Sequence, residues 1–247
     1  MPQPPTRTSG AARVPCPAGA YGWRPLLLCA VLFFVIGFVT WLNGPLISFV
    51  RVAFDLSDLA AFMVPLVFYC SYFAFSIPAS LSVNRTGFRH GLVCALLVMA
   101  CGMVVAGQCL HTGSYPGALS GFVLLGAGLA LLQVAINPYV SFLGPSSHSA
   151  QRIAIMGICN KLGGIAAPIA LATLAMRHMP DLPTTLPNGM DAHKQHAIQQ
   201  DFLNAVYWPY MGMAFLLALT ALWTARSGLP EIQTDLCNNN DRPENFI

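Results

Sequence analysis

Residues 115–143 read YPGALSGFVLLGAGLALLQVAINPYVSFL, without one charged side chain. A helix needs about 20 mostly apolar residues to cross the hydrocarbon core of a bilayer. This run exceeds that, and five others resemble it. The candidate spans are Pro25–Ile47, Leu59–Val83, Leu92–Leu110, Tyr115–Leu143, Ile153–Met176 and Tyr207–Ala225. A closed β-barrel is the only other spanning architecture. Its strands would alternate in polarity, and these runs are apolar throughout. The expected fold class is therefore an all-α membrane protein with six transmembrane helices. The bundle occupies residues 24–232, between an N-terminal tail (1–23) and a polar C-terminal tail (233–247).

Composition leads to the same class. The chain has 247 residues, 55% hydrophobic and 9% charged, where soluble domains carry about 25% charged residues. So few charges cannot cover a soluble surface of this size, and disorder needs the opposite balance. A net charge of +3 is too weak for nucleic-acid binding. No Asp or Glu occurs between Asp58 and Asp181, as expected where a charge at the bilayer centre costs roughly 3 kcal/mol. Cys29, Cys70, Cys94, Cys101, Cys109 and Cys159 lie in or beside apolar runs without CxxC spacing, so they read as packing residues. Met1–Trp23 carries Arg7 and Arg13 but no apolar core of its own, so it reads as a cytoplasmic tail and not a cleaved signal.

Loop charges set the orientation. With the N-terminus inside, the inner segments hold Arg7, Arg13, Arg24, Arg85, Arg89, Arg152, Arg226 and Arg242. The outer ones hold only Arg51, Arg177 and Lys194. This excess places both termini in the cytoplasm and the proline-containing loop 177–206 outside.

Prolines mark a repeat. Asn43-Gly44-Pro45 lies near the outer end of the first span and Asn137-Pro138 in the inner half of the fourth; Pro78 and Pro168 follow in the second and fifth. The intervals, 45 to 78 and 138 to 168, are similar. Three helices followed by three like them form a 3+3 inverted repeat, in which interrupted helices at matching positions point to a binding site.

Two stretches could carry function. Asn84-Arg85-Thr86-Gly87-Phe88-Arg89-His90-Gly91 joins the second and third spans. Gly87 suits a left-handed helix end, and the arginines suit a helix C-terminus and the cytoplasmic side. A simple basic turn and a gating loop made of Arg85, Gly87, Arg89 and Gly91 both fit. In the fourth span, Gln133 and Asn137 are four residues apart and share a helix face. In hydrocarbon such amides need partners, as glue between helices or as the wall of a polar cavity.

Phe33-Phe34-Val35-Ile36-Gly37-Phe38-Val39-Thr40-Trp41-Leu42-Asn43 resembles the first helix of the fucose permease and glucose/galactose transporter family of the major facilitator superfamily. Residues Leu132–Val140, then Leu143-Gly144-Pro145 and Arg152, are similar to its fourth helix and following loop. Asn160, Leu162-Gly163 and Ala167-Pro168 resemble its fifth. The similarity runs from about Leu28 to Ile232 and covers the N-terminal half of a twelve-helix family. It implies a proton-coupled sugar carrier of the bacterial inner membrane. By position, Asn43, Gln133, Asn137 and Asn160 become the sugar-binding groups, and the loop Arg85–Gly91 the latch of the inward gate.

The chain departs from that pattern. The family has an acid, the expected proton site, where Gly44 stands, and commonly another acid where Asn84 stands. Fucose-type members have glutamate at Gln133, glucose/galactose-type members glutamine. No titratable carboxylate remains in any span, so proton coupling is not expected to run through this half. Lys161 replaces a small polar residue; it either snorkels to the inner rim or presents a cation to the cavity. The histidines lack metal-ligand spacing, and no cofactor motif or catalytic constellation is present, so an enzyme is not expected. The expectation is half of a sugar transporter, truncated or split, that acts with a C-terminal six-helix partner or a second copy of itself. The other possibility is a non-transporting scaffold or decayed fragment.

Overall fold

A computed structural model describes residues 23–54, 57–143, 148–178 and 192–227. Both tails beyond the bundle and the whole α5–α6 connection lie outside the described residues. The elements are α1 (Trp23–Ala53), α2 (Asp58–Thr86), α3 (Phe88–His111), α4 (Tyr115–Phe142), α5 (Ser149–His178) and α6 (Ala192–Arg226). Each contains a stretch long and apolar enough to cross a membrane. Every described backbone segment there is helical, because hydrocarbon offers no hydrogen-bond partner and a helix closes its bonds within itself.

Two expectations are corrected. The sequence reading placed interruptions at the prolines, but α1, α2, α4 and α5 run as continuous helix through Pro45, Pro78, Pro138 and Pro168. A proline removes one backbone donor, and packing against neighbouring helices keeps the rest of the ladder intact. The sequence also gave loop to residues 192–206, where α6 has already begun. That stretch, AHKQHAIQQDFLNAV, is polar and holds neither Gly nor Pro. Ala, Gln and Lys are good helix formers, and a search for apolar spans does not see a polar helix.

The packing order carries the inverted repeat. α1 lies against α5 as α4 lies against α2; α3 packs on α4 and α6 on α1; α3 and α6 meet at the centre. Exchanging the first three helices for the last three leaves this pattern unchanged. α3 and α4 are the most buried helices, and α2 and α5 the least. The core gathers Leu32, Leu92, Leu96, Met99, Met103, Phe122, Leu132, Tyr139 and Tyr210, all essentially inaccessible.

The matched pairs are held alike. At the α1–α5 crossing, a Cβ on Gly37 would collide with the Asn160 carbonyl oxygen, and one on Gly163 with that of Phe34. At the α2–α4 crossing, a Cβ on Gly126 would stand 2.5 Å from the Phe68 carbonyl oxygen. Small residues let backbones approach where no hydrophobic drive separates helix from lipid. Side chains then bridge the gap. Asn160 Nδ2 donates to the Phe33 carbonyl at 3.2 Å, Ser71 Oγ to Val123 at 2.6 Å and the Tyr115 hydroxyl to Ala60 at 2.5 Å.

Helix ends are closed by arginine. Buried Arg152, in the first turn of α5, donates through Nε to the Val140 carbonyl at 3.2 Å and through Nη2 to Ser141 at 2.8 Å. These are C-terminal carbonyls of α4, which carry the negative end of its dipole; that of Val140 also accepts the Leu143 N–H at 3.4 Å. At the opposite end of the bundle Arg51 pairs with Asp58 across the α1–α2 connection.

Gly163→Val is expected to lower the melting midpoint of the detergent-solubilised chain by several degrees, since overpacking costs about 1–3 kcal/mol and each kcal/mol moves a chain of this size by about 2–4 °C. Gly44→Ala, whose new methyl group meets nothing within 4 Å, should stay within about 2 °C of the parent; fluorescence-detected size exclusion after heating reads both. Arg152→Ala should cost about 1.5–3 kcal/mol, the worth of hydrogen bonds to a charged group. Arg152→Lys should recover only part of it, because an ammonium cannot span two carbonyls as the planar guanidinium does.

Candidate functional site

At the basic end of the bundle, Gly87 adopts φ 82° and its N–H donates to the Val83 carbonyl at 2.9 Å, ending α2. α3 starts at the next residue. A Cβ on Gly91 would stand 3.1 Å from the Val83 side chain, so this glycine brings the first turn of α3 close onto α2. Arg89 Nη2 donates to the Ala225 carbonyl at 2.6 Å and so clasps the C-terminus of α6. Arg85 is exposed. Of the four residues expected to form a gating loop, Gly87, Arg89 and Gly91 fasten α2, α3 and α6 together.

The proposed sugar-binding amides divide. On α4, Gln133 Oε1 accepts from the Tyr72 hydroxyl of α2 at 3.2 Å. Asn137, one turn nearer the basic end, has an exposed side chain. On α5, Asn160 spends its amide nitrogen on Phe33, inside the glycine crossing. Asn43 lies on α1, and its side chain falls outside the described residues. Among the described residues, Gln133, Asn137 and Asn160 make no hydrogen bond with one another; Gln133 is paired with the Tyr72 side chain and Asn160 with the Phe33 backbone carbonyl.

A cavity of about 330 Å³ opens between α1, α2 and α4. Thr40, Trp41 and Gly44 line it from α1, Pro65, Phe68 and Tyr69 from α2, and Phe122 from α4. Gly44 leaves its wall open, with nothing within 4 Å of where a Cβ would stand. Beside this wall lies Lys161 of α5. Its Nζ is 5.0 Å from the centroid of the Trp41 ring, a distance at which an ammonium is attracted to the face of an indole. The side chain does not extend along α5 to the rim; it turns to the indole that lines the cavity.

Sequence reasoning missed Tyr72, Tyr69 and the role of Trp41. The available signal was chemical. Tyr and Trp inside an apolar run carry a polar atom that usually finds a partner when buried, but the sequence does not say which one.

No protein-family model matches the chain. It is 29% identical over 224 residues to a glucose/galactose transporter of Brucella abortus, an alignment covering 91% of this chain and 50% of that protein. It is 27% identical over 217 residues to the L-fucose-proton symporter of Escherichia coli K12, covering 88% of this chain and 49% of the symporter. A crystal structure of the major facilitator superfamily transporter FucP, in the outward conformation, superposes with a TM-score of 0.76 at 27% identity over 85% of this chain and 51% of that one. A second, of the Escherichia coli fucose:proton symporter, gives 0.74 at 25% identity over 86% and 51%. The chain spans about half the length of the curated relatives it matches. Six apolar helices and these relatives make it a multi-pass membrane protein. In fold the chain is similar to one six-helix half of a major facilitator superfamily transporter, and in sequence it is similar to half of the glucose/galactose transporters and fucose–proton symporters.

Proposed function

We infer that the chain is the N-terminal half of a monosaccharide transporter of the bacterial inner membrane, with both termini cytoplasmic. One observation carries this reading: a six-helix bundle matching half of known sugar transporters leaves a cavity open along α1, α2 and α4. α2 and α5 expose apolar stripes on the same bundle, among them Phe62, Leu66, Phe73 and Ile77, and Ile158, Leu162, Ile165 and Ile169. In alternating access two bundles rock about a site between them, and one bundle supplies one wall. The second wall comes from a C-terminal six-helix half or from a second copy of this chain.

Gln133, Asn137, Asn160 and Asn43 would hydrogen-bond sugar hydroxyls, with Tyr72 holding Gln133 in place. The substrate class is a neutral hexose or deoxyhexose of the glucose, galactose or fucose type, or a close derivative. Relatives are named as proton symporters. Gly44 and Gln133 bring no carboxylate to this wall, so a coupling proton would be held by the companion half.

The test is uptake of labelled galactose and fucose in a host lacking its own carriers. The chain alone should give background accumulation. Coexpression with the C-terminal six helices of the Escherichia coli L-fucose-proton symporter should give uptake. Gln133→Ala should then cut initial uptake about tenfold, the scale of one lost hydrogen bond to a buried polar group, with Tyr72→Phe intermediate. Uptake by the chain alone would overturn the half-transporter reading, and none in any pairing would favour a scaffold. For orientation, cysteines placed at Arg89 and Asp191 in a background without other cysteines should label from opposite sides of the membrane; labelling from one side would overturn the topology.

A further inference from the structure

Lys161 occupies an unusual place. The apolar part of α5 runs from Ser149 to Ala170, which puts Lys161 near its middle and about 18 Å along the helix from Ser149, at 1.5 Å per residue. A lysine that deep does not bring its ammonium to either rim. Intramembrane ionisable residues mark solute paths or pair with one another, and among the described residues Lys161 makes no ion pair with a carboxylate. The sequence holds no Asp or Glu between Asp58 and Asp181, and Asp58 is paired with Arg51 at a helix end. What the ammonium has is the face of Trp41. Both side chains are exposed, Trp41 by 50%, and Trp41 is part of the cavity wall with Thr40, Gly44 and Tyr69. A cation thus stands at the edge of a cavity that offers an indole, a hydroxyl-bearing threonine and a phenol. The indole orients the ammonium without neutralising it.

We propose that Lys161, positioned by Trp41, is a specificity-determining cation that selects a monosaccharide bearing a carboxylate, a sugar acid of the hexuronate kind, over its neutral counterpart. This rests on the sugar-carrier reading above and narrows its substrate class. The carboxylate would take the open side of the ammonium, the sugar ring would lie against the Trp41 and Tyr69 side of the cavity, and the hydroxyls would meet the amides of α4. The pairing is electrostatic and leaves both groups charged, so it requires no proton transfer.

The chain has two lysines, Lys161 and Lys194. In the full-length Lys194→Arg variant, reconstituted in nanodiscs, a small water-soluble amine reagent therefore reports on Lys161, with the α-amino group resolved separately by peptide mass. D-galacturonate should slow Lys161 modification at least fivefold at a concentration where D-galactose changes it less than twofold. Trp41→Phe should reduce that protection and Trp41→Leu should abolish it. In the coexpression assay, galacturonate should compete with labelled galactose at least tenfold better than unlabelled galactose does, and Lys161→Gln should bring that competition ratio to about one. Equal protection by both sugars, or a competition ratio untouched by Lys161→Gln, would overturn the carboxylate preference and leave the sugar-carrier reading standing. Loss of galactose uptake in every pairing would instead remove the sugar-carrier reading, and this inference with it.

Discussion

Hydrocarbon forms no hydrogen bonds, and the organisation of this bundle follows from that. Every polar group placed at membrane depth has to close on another part of the chain. Asn160 closes on the Phe33 carbonyl, Ser71 on Val123, Tyr115 on Ala60, and Tyr72 on Gln133. Each of these bonds crosses from one helix to another. Two of them sit at glycine crossings, Asn160 where Gly37 and Gly163 face carbonyl oxygens of the partner helix and Ser71 beside Gly126. A single interhelical hydrogen bond in a membrane protein is worth on average about 0.6 kcal/mol. The crossings are therefore held by the combination of close approach and several weak bonds.

The same constraint explains how a chain can carry arginines at one end of the bundle with almost no acids to match them. Arg89 and Arg152 donate to the last carbonyls of α6 and α4. Those oxygens lie in the last turn of each helix, where i→i−4 donors run out, and bear the negative end of the dipole. Fixed backbone charge substitutes for carboxylates. With these contacts the arginines tie α3 to α6 and α5 to α4 and form the basic end of the bundle.

Much of this was legible in the sequence because it depends on length and polarity. The runs around Leu92–Leu110 and Tyr115–Leu143 could be nothing but spanning helices, and the paired prolines pointed to the inverted repeat that the packing of α1 on α5 and α4 on α2 carries out. What depends on partners was not legible. Residues 192–206 are helical without being apolar, so hydropathy passed over them. Pro45 and Pro138 looked like breaks because a sequence does not show the neighbours that keep a helix whole. Gln133 and Asn160 read alike as polar residues in apolar helices. One bonds Tyr72, 61 residues earlier in the chain, and the other a backbone carbonyl 127 residues earlier; no local pattern encodes such distances.

The division between scaffold and wall has an energetic consequence. A lysine at the centre of a spanning helix costs roughly 3 kcal/mol, and contact with an indole returns about 0.5–2 kcal/mol, so Lys161 is retained at a net cost. Nothing in the packing requires it there: the side chain is exposed, while the contacts that hold α5 to α1 are made by Asn160 and Gly163 on either side. The same is true of Gly44, whose missing side chain opens onto empty space, and of exposed Asn137. Lys161, Gly44 and Asn137 are therefore separable from the residues that set the fold. Glycine crossings and arginine clasps keep one architecture while the charge and polarity of the open face change, so a scaffold shared with carriers of neutral sugars can present a positive wall without being rebuilt.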